Sequence, residues 1–218
     1  MMLNTNKMKK VWYAPYKFES YGEEEIKAVE EALRSGWLGG QGPKSEEFEK
    51  AIAKRFGKKY GVFVNSGSSA CLLAIAALNL PKGSKIITPA CTFSTTLAPI
   101  IQLGYIPVFV DVDLTTYCAT VDDIMAIMDD DVKAIMLPNL IGNKPDWEFL
   151  KSTLINAGRS DVYLIEDSAD TITKTECTDV STTSFYASHV ITAGGVGGMV
   201  MFNDQKHVTK CLQYRDWG

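Results

Sequence analysis

One of the two histidines in the 218-residue chain, His189, stands where a side chain could move protons. It follows a short β-branched stretch and precedes the glycine-rich run Gly194–Gly198, a composition that lets a backbone approach a ligand closely. An imidazole titrates near neutral pH and suits general acid–base chemistry. Taken alone, the pattern fits a histidine hydrogen-bonded in a turn better. The second histidine, His207, lies beside Lys206, and we predict that it is a surface residue.

A carboxylate, Asp167, follows the apolar stretch Val162–Ile165, where a buried strand would end. Ligands of open α/β sheets bind beyond the carboxyl ends of the strands. A carboxylate there can keep a pyridine nitrogen protonated, as pyridoxal phosphate (PLP) chemistry requires. The neighbouring Glu166 is expected to point to the opposite face of the sheet. On this pattern alone, an aspartate that caps the next turn is the better interpretation.

A run of small polar residues, Asn65–Ala70, joins a predicted strand to a predicted helix. We expect Gly67 to permit a tight turn, and the free amides and dipole of the helix N-terminus to form a phosphate site. The hydroxyls of Ser68 and Ser69 add hydrogen-bond donors. A capped helix after a strand explains this motif equally well.

An aromatic residue, Phe93, follows another predicted strand and is placed to stack on a flat ring or, equally, to pack in the core. The histidines and five cysteines lack the spacing of metal ligands, so we predict no metal site. The odd number of cysteines favours reduced thiols in a cytoplasmic protein. A net charge of −4 without a basic stripe argues against nucleic-acid binding. No apolar run approaches the roughly 20 residues that span a membrane.

Strands and helices alternate along most of the chain, which predicts an α/β domain with a mainly parallel mixed sheet flanked by helices. The predicted strands are Gly61–Val64, Lys85–Thr88, Ile106–Val110, Ala134–Pro138, Val162–Ile165, Thr182–Phe185 and Met199–Phe202. The predicted helices are Glu23–Ser35, a helix capped by Ser45, Ser69–Leu78, Thr95–Leu103, Val121–Met128, Trp147–Ala157 and Lys206–Tyr214.

Taken in order, these segments resemble the DegT-type family of PLP-dependent sugar aminotransferases from about Trp12 to Gly218. The segments that carry the resemblance are Ser35–Leu38, Gly42–Pro43, Phe48–Glu49, Asn65–Ala70, Phe93, Val108–Asp113, Glu166–Asp167, Ser184–Phe185 and Gly194–Gly198. The resemblance implies that residues 1–218 hold an N-terminal segment and a fold type I large domain, without the small C-terminal domain of the family. It also implies a homodimer.

The resemblance further implies how the cofactor is bound. Phosphate-binding residues would be Gly67, Ser68, Ser69 and Ser184. Phe93 would stack on the ring, and Asp167 would contact the ring nitrogen. Asp170 would lie beside the cofactor's hydroxyl.

One departure from the family changes the expected chemistry, because His189 stands where the aminotransferases carry their cofactor-linking lysine. No lysine occurs between Thr175 and Gln205. The change resembles the sugar 3-dehydratases, which act on nucleotide-linked 4-keto-6-deoxyhexoses with noncovalently held pyridoxamine phosphate (PMP). The resemblance therefore implies that His189 is the base in a C-3 dehydration of deoxysugar biosynthesis, such as lipopolysaccharide assembly requires.

The resemblance also bears on electron supply, because Ala169 stands at the first cysteine position of the iron–sulfur cluster found in one dehydratase subgroup. We therefore predict no cluster, and glutamate as the amino donor that regenerates PMP. Two alternatives stay open. The chain could be a sugar aminotransferase-like protein with altered or lost activity, or a noncatalytic relative that binds a nucleotide sugar.

Overall fold

The computed structural model describes residues 21–37 and 39–217, and the chain divides into two compact units, Met1–Leu38 and Gly39–Gly218. Helix α1 (Glu23–Arg34) belongs to the first unit, as predicted. Ion pairs four residues apart support this helix, including the 2.6 Å contact between Arg34 and Glu30. Trp12, Leu38 and Gly218, which mark parts of the family resemblance, lie outside the described residues.

The second unit contains every strand predicted from the sequence. The strands are β1 (Tyr60–Val64), β2 (Lys85–Pro89), β3 (Ile106–Val110), β4 (Val132–Pro138), β5 (Tyr163–Asp167), β6 (Val180–Ser184) and β7 (Gly198–Phe202). The helices are α2 (Pro43–Phe56), α3 (Gly67–Leu78), α4 (Ser94–Gln102), α5 (Val121–Ala126), α6 (Trp147–Asn156) and α7 (Gln205–Arg215), with a 3-10 turn at Leu140–Gly142. The predicted cap at Ser45 is wrong. Helix α2 begins at Pro43. Proline suits the first helical position, because it has no N–H that would be left without an acceptor there.

The strands form one seven-stranded sheet in the order β1-β7-β6-β5-β4-β2-β3. Strand β7 runs antiparallel to β1 and β6, and the other neighbouring pairs are parallel, which confirms a mainly parallel mixed sheet. Because β6 and β7 are antiparallel, the connection at residues 185–197 lies at the carboxyl end of β6. The connection that carries His189 therefore shares one edge of the sheet with the ends of β1, β2 and β5.

Apolar side chains fill both faces of the sheet. Ile165 packs in a core with α3, α4 and α7, whereas its neighbour Leu164 packs in a second core with α5 and α6. Helix α2 covers a third, smaller core that contains Phe185. Continuous apolar strands such as Val162–Ile165 are expected where both faces are buried. Among the described residues, no helix is long and apolar enough to cross a membrane.

His207 is buried, so the prediction of a surface position is wrong. Its Nδ1 lies 3.0 Å from the carbonyl oxygen of Ala77 at the end of α3, and its ring meets Tyr163 edge-on. The physical reason is the packing of α7, which also buries Val208 and Cys211 on its inward side. A histidine on this side satisfies a carbonyl oxygen while its ring fills apolar space.

Candidate functional site

The N-terminus of α3 forms the first part of the site. Ser66 caps the helix, and its hydroxyl accepts the N–H of Ser69 and donates to the Ser69 hydroxyl, both at 3.1 Å. Helix geometry leaves the first-turn amides of Gly67 and Ser68 without intrahelical acceptors. Ser68 is exposed, so this terminus offers amide and hydroxyl donors to an anion. The motif is thus both a capped helix and an anion-binding terminus.

Ser184, at the end of β6, faces the same helix terminus. A Cβ atom added to Gly67 would lie 2.7 Å from the Cβ atom of Ser184. Gly67 does not have a positive φ, so the predicted reason for glycine, a tight turn, is wrong. Glycine is required here because β6 approaches the helix too closely for a side chain.

A second close approach fixes the same helix terminus and yields a prediction. A Cβ atom added to Gly198 would lie 2.3 Å from the carbonyl carbon and oxygen of Ser66. Because backbone cannot yield as a flexible side chain does, we expect Gly198→Ala to lower the free energy of unfolding by about 1–3 kcal/mol. The same change should weaken phosphate binding at the displaced terminus of α3.

Urea denaturation and titration with inorganic phosphate measure the two effects of Gly198→Ala. Gly40→Ala is the matched control, because a Cβ atom added to Gly40 meets nothing within 4 Å. Equal unfolding free energies for the two variants would contradict the close approach.

Asp167 forms the second part of the site, at the end of β5. Its Oδ2 accepts the Thr96 hydroxyl at 2.8 Å, and Thr96 in turn accepts the Thr92 hydroxyl at 2.9 Å. The Thr182 hydroxyl lies 3.4 Å from Oδ1. Burial raises the pKa of Asp167, while these donors and the amide of Ala169 oppose the rise. Asp167 therefore does hold the following turn, and it also presents a buried carboxylate that a cation would stabilise.

Glu166 points to the opposite face of the sheet, as predicted. Its carboxylate accepts the Asn139 amide and the hydroxyls of Thr175 and Ser181, each at 2.7 Å. Glu166 is completely buried and shares none of these donors with Asp167. The carboxylates of Glu166 and Asp167 therefore lie in separate environments on opposite faces of the sheet.

His189 forms the third part of the site, in the connection between β6 and β7. Its Nε2 lies 3.9 Å from Oδ1 of Asp170, and the side chain is 23% exposed. Among the described residues, buried Nδ1 has no hydrogen-bond partner. The alternative of a histidine hydrogen-bonded in a turn holds for the backbone, because the His189 N–H donates to the carbonyl oxygen of Tyr186 at 3.0 Å, but it does not account for Nδ1. The second carboxylate oxygen of Asp170 accepts the amide of Ile141 at 3.0 Å, which holds Asp170 in place.

The connection around His189 is closed by its own hydrogen bonds. The Thr192 hydroxyl donates to the Phe185 carbonyl oxygen at 3.1 Å and accepts the Gly195 N–H at 2.9 Å. Gly194 and Gly195 both have positive φ, which explains the glycine-rich composition of this segment.

Phe93 lies at the start of α4 and is 69% exposed. The alternative of core packing is therefore wrong, and one face of the ring is available to a ligand. Thr96, in the first turn of the same helix, contacts Asp167. Helix α4 thus positions an exposed ring and a donor to the buried carboxylate together.

These groups fit a pyridoxal-type cofactor on observations of this structure. A helix N-terminus suits the phosphate, an exposed phenyl ring suits the aromatic ring, and a buried carboxylate of raised pKa suits a pyridinium nitrogen. His189, whose Nδ1 has no hydrogen-bond partner among the described residues, lies in the connection at the same edge of the sheet. Within residues 21–37 and 39–217, no three His, Cys, Asp or Glu side chains are grouped to hold a metal ion.

Comparisons with known proteins identify the relatives of this chain. A dTDP-4-dehydro-2,6-dideoxy-D-glucose 3-dehydratase from Saccharopolyspora spinosa is 37% identical over 193 residues, which cover 81% of this chain and 41% of that protein. The structure of the E. coli GDP-4-keto-6-deoxy-D-mannose-3-dehydratase with bound hydrated PLP matches with a TM-score of 0.79 and 32% identity, over 89% of this chain and 52% of that one. NtdA from Bacillus subtilis with bound cofactor PMP matches with a TM-score of 0.84 and 25% identity, over 97% of this chain and 49% of that one.

The chain spans about half the length of the curated relatives it matches. The relatives include two that are named as nucleotide-sugar 3-dehydratases and one that is named as a GDP-perosamine synthase. The structural neighbours have the fold type I architecture of PLP-dependent aminotransferases. The family model for DegT/DnrJ/EryC1/StrS aminotransferases matches residues 19–218. Nearly the whole chain is included in that match, and it belongs to the DegT/DnrJ/EryC1/StrS aminotransferase family.

Proposed function

We propose that this chain is the cofactor domain of a PMP-dependent enzyme that removes the C-3 hydroxyl of a nucleotide-linked 4-keto-6-deoxyhexose. The observation that carries the proposal is the half-buried imidazole of His189, whose Nδ1 has no partner among the described residues. It lies in the position of the family's lysine, at the strand-end edge that also holds Asp167. Relatives named as 3-dehydratases support the same substrate class.

Cofactor binding is proposed to divide among the three parts of the site. Gly67, Ser68, Ser69 and Ser184 bind the phosphate at the N-terminus of α3. Phe93 stacks on the ring, and Asp167 holds the proton on the ring nitrogen. Since Asp167 is buried, a bound cationic ring relieves the cost of its charge.

His189 is proposed as the base of the reaction. When bound, PMP supplies an amine for the sugar's keto group and a ring that accepts electrons. Nε2 of His189 lies 3.9 Å from the Asp170 carboxylate, which orients the imidazole ring. His189 would act as the group that accepts a proton and then donates one to the departing C-3 hydroxyl, which would leave as water. Asp170 is therefore proposed to contact both the His189 imidazole and the cofactor's hydroxyl.

Water loss is the direct test of this function. The chain is mixed with PMP and a GDP- or dTDP-linked 4-keto-6-deoxyhexose, and the sugar is analysed by mass spectrometry. Loss of one water from C-3 is the expected result. PMP binding without turnover would favour the aminotransferase-like protein of altered activity, and sugar binding without PMP binding would favour the noncatalytic relative.

The remaining proposals follow from the same assignment. We infer a cytoplasmic homodimer that serves deoxysugar biosynthesis, including lipopolysaccharide assembly, with glutamate as the amino donor. Ala169 leaves no cysteine at the first ligand position of an iron–sulfur cluster, so recycling without a cluster is proposed. Residues 1–218 are proposed to hold the N-terminal segment and the cofactor-binding large domain.

Restoring a lysine tests the assignment of position 189. We expect His189→Lys to form a covalent bond to PLP, because its amine would enter the space beside Asp170 and the strand-end edge. A visible absorbance band and fixation of PLP by borohydride measure the bond. The wild-type chain and His189→Asn are the controls and should show neither effect. Failure of borohydride to fix PLP on a folded His189→Lys chain would place position 189 away from the cofactor.

A further inference from the structure

We infer that Asn139 is a positioning residue, which sets the direction of the Asp167 carboxylate through a buried polar cluster on the opposite face of the sheet. The inference rests on the proposed function, because it concerns how Asp167 meets the ring nitrogen. The back-face cluster consists of Asn139, Glu166, Ser168, Thr175 and Ser181.

Asn139 makes hydrogen bonds to Asp167 and to both of its neighbours in the chain. Its backbone N–H donates to the carbonyl oxygen of Asp167 at 2.8 Å. Its side-chain amide donates to Glu166 at 2.7 Å and to the Ser168 hydroxyl at 2.8 Å. Asn139 is 1% exposed, and it therefore binds Asp167 through its backbone and the residues before and after Asp167 through its side chain.

Asn139 directly follows β4, next to the end of β5. Strands β4 and β5 are paired as far as Pro138 and Asp167, their last residues. The N–H of Asn139 makes the last backbone bond between these two strands, and on the other side of β5 the N–H of Ser168 donates to the carbonyl oxygen of Thr182 at 2.9 Å. The side-chain amide of Asn139 adds bonds from the end of β4 to Glu166 and Ser168.

On the front face, the Asp167 oxygens meet the hydroxyls of Thr96 and Thr182, whose hydrogens rotate to follow an acceptor, and the backbone amide of Ala169. The back face acts on the backbone around Asp167 instead. There the Asn139 amide is held by Glu166, and its oxygen faces the indole N–H of Trp147 at 3.4 Å.

The polar groups of the back-face cluster are hydrogen-bonded to one another, so a change at Asn139 removes a bond within the cluster. Glu166 also accepts Thr175 and Ser181, and the buried Lys58 ammonium donates to the Thr175 carbonyl oxygen. Burial lowers the pKa of Lys58 to about 8, while the charge of Glu166 opposes this change. Glu166 and the neighbouring Lys58 thus both have hydrogen-bond partners, and Asn139 supplies one of the three donors to Glu166.

The test uses a pair of substitutions that exchange the two functional groups. Asn139→Asp places a carboxylate against Glu166 and should disrupt the contact. Adding Glu166→Gln restores an amide–carboxylate pair in the reverse direction with the same total charge. The readout is the ratio of dissociation constants for PMP and for its 1-deaza analogue, in which C–H replaces the ring nitrogen. A structural defect weakens both ligands equally and leaves this ratio unchanged.

We expect the wild-type chain to prefer PMP over the analogue, and Asn139→Asp to reduce this preference at least tenfold, a change of about 1.4 kcal/mol. The double variant Asn139→Asp/Glu166→Gln should regain it. Should Asn139→Asp fail to fold, Asn139→Ser keeps the backbone bond to Asp167 and should lose the preference in the same way.

The possible outcomes distinguish the proposed function of Asp167 from the positioning role of Asn139. A wild-type chain that binds neither ligand, or does not distinguish them, would overturn the proposed function of Asp167. A wild-type preference that persists unchanged in the folded Asn139 variants would overturn the positioning role alone.

Discussion

Replacing His189 by asparagine is expected to stop dehydration while PMP binding stays nearly unchanged. Asparagine is close to histidine in size and polarity but cannot accept a proton at neutral pH. Loss of a general base lowers turnover by about 10²- to 10⁴-fold. The phosphate and ring contacts, at Ser184, Phe93 and Asp167, are left in place. Single-turnover assays of water loss and PMP titration by absorbance measure the two quantities separately.

The second histidine provides the matched control for this variant. His207→Asn makes the same chemical change on α7, where the ring contacts the Ala77 carbonyl oxygen. It should lower stability, because a buried hydrogen bond and ring contact are altered, yet leave turnover of the folded chain unchanged. Dehydration retained by His189→Asn would remove the base role from this residue.

Replacing Asp167 by asparagine is expected to weaken PMP binding by about 10²- to 4 × 10³-fold. Removing one partner of a buried charge pair costs about 3–5 kcal/mol, and each 1.4 kcal/mol is about a factor of ten in affinity. An amide cannot hold the positive charge of the ring nitrogen. Binding of the 1-deaza analogue, which lacks that nitrogen, should change much less. Titration of both ligands measures the difference.

The same variant should become more stable without cofactor. Burial raises the pKa of Asp167, so its ionised form is penalised in the folded chain at pH values above that raised pKa. Asparagine carries no charge, and the penalty disappears. Urea denaturation at pH 7 and near pH 4 should therefore show a gain for Asp167→Asn at pH 7 that shrinks as the pH falls.

A matched control for Asp167→Asn is available at the other end of the same strand. Asp161→Asn removes a carboxylate that contacts Lys133 and Arg159 near the start of β5, at the other end of the strand. This control should leave PMP affinity unchanged. Equal PMP affinities for Asp167→Asn and the wild-type chain would show that Asp167 does not meet the ring nitrogen.

Local pattern was sufficient to predict the elements of this fold. Stretches such as Val162–Ile165 and Ile106–Val110 are short, apolar and β-branched, and the helices between them have capping residues such as Thr120 and Asp146. The burial of His207 could not be read from its neighbours Lys206 and Val208. It depends on how α7 packs on α3, which brings together residues 130 positions apart.

The candidate site shows the same division. The positions of Asp167, His189 and the serines near Gly67 were predictable, because each follows a strand or begins a helix at one edge of the sheet, and their roles stay predictions. Thr96 was missed, since its bond to Asp167 joins residues 71 positions apart. Asn139 was missed for the same reason, because only the pairing of β4 with β5 brings it to Asp167. The reason for glycine at position 67 also required the position of Ser184, which is tertiary information.

Cofactor binding by the wild-type chain tests the central claim most directly. The purified protein is titrated with PMP and, separately, with PLP, and binding is followed by cofactor absorbance and by thermal shift. We predict saturable binding of PMP, and PLP that binds but is not fixed to the chain by borohydride. Binding of neither form, or PLP fixed to the wild-type chain, would contradict a lysine-free site built around His189.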